Sequence, residues 1–140
     1  MRDAARSLEL ARESSGKGSR YGQYALGFLY RYGEGGVAQD CAQALAFYRL
    51  AAAQNLDEAQ HNLGHMYDAG IGVAEDSAEA LRLFQLAAAQ GHPTALYHVA
   101  CYHEWGRGVR KNEAEAVRWY RRAQAAGDPD AADDLQRLRA

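Results

Sequence analysis

Apolar residues recur at helical spacing in paired blocks along this chain. Between Glu58 and Ala69, the positions Ala59, Leu63, Met66 and Tyr67 fall on one helical face. The run stops at Gly70, where a left-handed turn costs glycine little. Between Ser77 and Gln90 the apolar face is Ala80, Leu81, Phe84, Ala87 and Ala88, and Gly91 follows. The pattern predicts an antiparallel pair of helices joined by a short glycine turn.

The pair is repeated. Val37, Val73 and Val109 lie 36 residues apart, as do Tyr48, Phe84 and Tyr120, and Ala51, Ala87 and Ala123. Upstream, Leu26-Gly27, Leu63-Gly64 and Val99-Ala100 correspond, with one extra glycine in Gly33-Glu34-Gly35-Gly36. Each second helix has the same start signal: Asp40 with Gln43, Asp76 with Glu79, Asn112 with Glu115. An acceptor at the N-cap and a Glu or Gln three residues on is the capping-box spacing. Asp128-Pro129 and His92-Pro93 read as N-caps followed by proline at the first helical position.

The ends carry half-units. Ser7-Leu8 aligns under Ala80-Leu81, and Ala131 and Leu135 align under Ala59 and Leu63. The last half-unit turns Asp133, Asp134, Arg137 and Arg139 to its other side, as the exposed end of a stacked array requires. The reading is an all-α solenoid of three full repeats flanked by single capping helices. One domain over 1–140 is expected, with capping helices over 2–18 and 128–140 and repeats over 19–55, 56–91 and 92–127. Gly27, Gly64 and Ala100 permit close backbone approach, and Tyr30 and Tyr67 are expected to fill the space between helices. His103 takes their place in the third repeat and is expected to loosen it.

The run Ala59…Leu63-Gly64…Tyr67…Gly70-Ile71-Gly72-Val73…Asp76…Ala80…Phe84…Ala87-Ala88…Gly91 resembles the Sel-1-like repeat, a relative of the tetratricopeptide repeat. The resemblance implies a right-handed superhelix of antiparallel helix pairs serving as a protein-interaction scaffold. This chain departs from the pattern at Gly22, Asn55, Ala100 and His103.

Composition changes this picture little. The net charge of -2 argues against nucleic acid as a partner. No apolar run is long enough to cross a membrane, and the first residues do not read as a signal peptide. The expected location is the cytoplasm, or the periplasm or exterior if a leader has been removed. Cys41 and Cys101 are expected to be free thiols.

Candidate chemistry lies on the first helices. At about 100° per residue, the side opposite the apolar face carries Tyr24, Phe28, Arg31 and Tyr32 in the first repeat. In the second it carries His61, His65 and Asp68, and in the third Tyr97, Cys101, Glu104 and Trp105. This aromatic stripe is expected to line a concave face and bind a peptide, helix or loop of another protein. Tyr24 and Tyr97 have an alternative role, packing across neighbouring first helices. His61 and His65, four residues apart, with Cys101 at the aligned place, form an alternative metal- or small-molecule-binding neighbourhood. No catalytic constellation and no phosphate loop are found, so no enzyme activity and no cofactor are expected. Arg107, Arg110 and Lys111, near Arg118 and Arg121, could meet an acidic partner.

Overall fold

The computed structural model describes residues 2–139. Met1, the first residue of the segment read for a leader, and Ala140, the last residue of the closing half-unit, lie outside them. Among the described residues there are eight helices and no strand: α1 (Arg2–Gly16), α2 (Arg20–Tyr32), α3 (Cys41–Ala53), α4 (Asp57–Ala69), α5 (Ser77–Ala89), α6 (Pro93–Trp105), α7 (Glu113–Ala125) and α8 (Ala131–Arg139). The all-α reading therefore holds.

The helix starts follow the side-chain acceptors. Asp40, Asp76 and Asn112 accept the backbone N–H of Gln43, Glu79 and Glu115 at 3.1, 3.1 and 3.0 Å. His92 caps α6 by accepting from the Ala95 N–H through Nδ1, with Pro93 in the first turn. Asp128 Oδ1 accepts the N–H groups of Asp130 and Ala131 ahead of α8. The first helices end alike: Gly33, Gly70 and Gly106 take φ of 68, 69 and 67°. Asn55 adopts φ 63° at the place Gly91 holds in the next repeat, and asparagine tolerates that region better than most residues.

The chain divides into two compact units, the first ending at Glu75 and the second starting at Asp76. In the first, α1 packs on α2, α2 on α3 and α3 on α4. Ala11, Leu26 and Leu29 form one apolar cluster, and Ala51, Leu56 and Ala59 another. In the second, α5 packs on α6, α6 on α7 and α7 on α8. Phe84 stacks on His98, with ring centroids 4.7 Å apart, and meets Tyr102 edge-on.

The gap-filling aromatic differs from the sequence expectation. Tyr67 is only half-buried, with its hydroxyl bonded to Arg49. Tyr48, Phe84 and Tyr120, on the second helices, are enclosed by the core, as is Tyr102 on α6. Gly27 explains the choice in the first unit, since a Cβ there would lie 2.7 Å from the Tyr48 ring. Tyr30 instead stacks on Phe47 at 5.7 Å, nearly parallel. His103 keeps that arrangement by stacking on Trp119 at 6.4 Å, so the third repeat retains its ring pair.

Candidate functional site

In the first unit the stripe residues separate by accessibility. Phe28 and Tyr32, one turn apart on α2, are 39% and 54% exposed with ring centroids 4.8 Å apart. The Arg31 guanidinium lies 5.0 Å above the Tyr32 ring. Tyr24 is half-buried against the Tyr48 ring, and its hydroxyl accepts from Asn62 Nδ2 of α4 at 3.2 Å. Burial raises its pKa. Tyr24 thus packs across neighbouring first helices.

On α4, His65 is exposed, while His61 and Asp68 are half-buried. His61 Nδ1 lies 3.2 Å from Asn62 Oδ1. Arg31 and Tyr32 meet His65 around a cavity of about 20 Å³, whose wall is completed by Tyr48, Asn62 and Met66. That volume is close to the room one water molecule needs.

In the second unit the stripe is largely tied up by α8. Tyr97 is half-buried, and its hydroxyl donates to Asp134 Oδ2 at 2.6 Å. Glu104, expected on the open face, is instead 2% exposed. Its carboxylate receives the Tyr120 hydroxyl at 2.7 Å and is gripped by both terminal nitrogens of Arg137, at 2.7 and 2.8 Å. A buried carboxylate needs such partners to remain charged. The Arg137 hydrogen bonds, helped by Tyr120, hold its pKa below the usual carboxylate value against the opposing effect of burial. Arg137 also bonds Asp134 and lies 5.8 Å over the Trp105 ring, which remains 62% exposed.

Cys101 is half-buried, with Sγ 3.4 Å from the Tyr120 hydroxyl. Burial pushes its thiol pKa up, which favours the neutral thiol and works against its use as a thiolate ligand. Both cysteines are free. Of the basic cluster, Lys111 and Arg118 are exposed but pair with Glu113 and Glu115, and Arg107 covers the Tyr102 ring.

Sequence reasoning missed Tyr48, Tyr120, Asn62, Asp134 and Arg137 as partners of the stripe. The signal was present in the repeat register: 36-residue steps carry His65 through Cys101 to Arg137, and Asn62 through His98 to Asp134.

The Sel1 repeat family model matches residues 20–56, 57–92 and 93–128. A Sel1 repeat protein from Oxalobacter formigenes is similar at 35% identity and TM-score 0.85, covering 94% of this chain and 98% of its own. So is c5321, a protective antigen of uropathogenic Escherichia coli with an SLR fold, at 36% identity and TM-score 0.92. The match covers 96% of this chain but 29% of the antigen. Cysteine-rich protein B of Helicobacter pylori shares the fold at 20% identity and TM-score 0.73, over 95% of each chain. No curated protein sequence matches. With three consecutive repeats matched over most of its length, this chain belongs to the Sel1 repeat family.

Proposed function

We propose that this chain is an adaptor that holds a segment of another protein against the exposed face of its first helices. Sel1-repeat proteins generally mediate protein–protein interactions and are generally non-enzymatic scaffolds. Among the described residues no helix is long and apolar enough to cross a membrane. The observation that carries the finer reading is the accessible pair Phe28 and Tyr32, set beside Arg31 and the His65 edge of α4. Their rings contact each other and water, so they are free to add apolar area to a complex. Tyr24 and Tyr97 serve the fold by bonding the next first helix. Trp105 offers a separate exposed anchor in the second unit.

The test is the double change Phe28→Ala with Tyr32→Ala, beside Trp105→Ala alone. Circular dichroism should show folded helices for both, because these rings lie outside the core. Partner capture from the native cell should lose its specific component in the double variant, each anchor being worth about 2 kcal/mol or more. A folded double variant that keeps every partner at full strength overturns the α2–α4 face as the binding surface.

A further inference from the structure

The two units contain the same three-helix arrangement, α2–α3–α4 in one and α6–α7–α8 in the other. In repeat register, Arg31 corresponds to Glu104, Tyr48 to Tyr120, Asn62 to Asp134 and His65 to Arg137. In the second unit this set is filled by its own acid. The Glu104 carboxylate takes the Tyr120 hydroxyl at 2.7 Å and Arg137 at 2.7 and 2.8 Å. In the first unit the Tyr48 hydroxyl and the His65 imidazole stand at these places, the Asn62 amide donates one of its two N–H groups to the Tyr24 hydroxyl, and the position of the acid is held by Arg31. These groups surround the cavity of about 20 Å³.

We propose that this cavity receives a carboxylate from outside, an Asp or Glu side chain of the bound protein segment. The inference rests on the adaptor reading and deepens it by naming the chemistry of the partner. Three observations argue for it. The cavity walls offer donors from Tyr48, Asn62 and His65, and Arg31 adds a guanidinium with its fork of N–H donors. A space of about 20 Å³, the room of one water molecule, admits a single oxygen of an entering carboxylate. The second unit demonstrates, with Glu104, that a carboxylate is the group this framework accommodates. Phe28 and Tyr32 stand beside the opening, so an acidic residue flanked by apolar ones is the expected recognition element.

The experiment is selection of a random dodecapeptide library on the full chain and on Arg31→Glu, with the selected peptides resynthesised with Glu→Gln or Asp→Asn changes. The Arg31→Glu variant places in the first unit the acid that Glu104 supplies in the second, so it fills the cavity from within. The expected result is an acidic residue next to apolar ones in the wild-type selection. Its amide counterpart should bind about tenfold more weakly, as loss of charge-assisted hydrogen bonds implies. Arg31→Glu should show folded helices and no preference for acid over amide. Peptides that bind through Phe28 and Tyr32 without an acidic preference overturn the inference and leave the adaptor reading standing. So does an acidic preference undiminished in Arg31→Glu. As a second readout, sodium acetate should shift the Asn62 side-chain amide resonance where sodium chloride does not. Absence of that shift counts against the cavity even if no peptide is recovered, an outcome that by itself counts against the adaptor reading. Acetate binding as tight as the selected peptides would make a free carboxylate the ligand and overturn the protein segment as its source.

Discussion

Tyr48, Phe84 and Tyr120 occupy one repeat position, and each is 1% exposed. Removing such a ring leaves a cavity that packed helices close only in part. Tyr48→Ala should therefore cost about 3–5 kcal/mol. Arg82→Ala, on an exposed position of α5, should stay within about 0.5 kcal/mol. Tyr67→Ala should fall between them, because that ring is already partly exposed to water. Urea denaturation of the three variants checks the order, and Tyr67→Ala exceeding Tyr48→Ala would contradict it. Glu104 makes a different prediction. Its pKa is depressed in the folded chain, chiefly by Arg137. A carboxylate with a depressed folded pKa contributes stability above its unfolded pKa of about 4.3. That contribution is lost as pH falls through the folded value. Urea midpoints at pH 7 and at pH 3 should differ less in Glu104→Gln than in the wild type. An equal loss in both would mean that Glu104 carries no linkage.

Helix boundaries depend on side chains close in sequence, which is why the residue pattern alone marks them. Asp40, Asp76 and Asn112 start their helices through bonds that reach only three residues. Replacing Asp76 with alanine should cost about 1 kcal/mol, read by thermal denaturation. A loss below the error of the measurement would mean that water replaces the cap without penalty. The burial of Glu104 was not legible in the same way. It depends on Arg137, which lies 33 residues further along on α8. Helical periodicity within α6 carries no information about that side chain. The close fit of α1 on α2 was equally hidden. Gly22 departs from the repeat pattern because a Cβ there would lie 2.4 Å from the Ser15 nitrogen and 2.6 Å from Ser14 Cβ. Gly22→Ala should force α1 outward and cost about 1–3 kcal/mol. Gly16→Ala, with nothing within 4 Å, serves as its neutral control.

In both units the principal packing runs between helices adjacent in sequence, so α1 and α8 each have one principal neighbour, α2 and α7. A terminal helix in such an array can open without disrupting the rest, and its amides should exchange before those of interior helices. The two ends are not equivalent. α1 is held by apolar contacts around Ala11, and its ion pairs are local ones, Arg6 with Glu9 and Glu13 with Lys17 just past the helix end. Those exposed pairs contribute little to docking. α8 is tied to α6 at two points, Asp134 to Tyr97 and Arg137 to Glu104. Opening α8 would strand the Glu104 carboxylate in a site shaped around a cation, and that penalty should keep the helix closed. Hydrogen exchange at neutral pH should therefore show α8 amides more protected than those of α1, although α8 is the shorter helix, with 9 residues against 15. In Arg137→Ala the Glu104 carboxylate loses its cation in the closed state as well, so opening becomes easier and the α8 advantage should disappear, while α1 exchange is unchanged. Equal protection of the two ends in the wild type, or an α8 that is indifferent to Arg137→Ala, would show that apolar packing alone holds both ends.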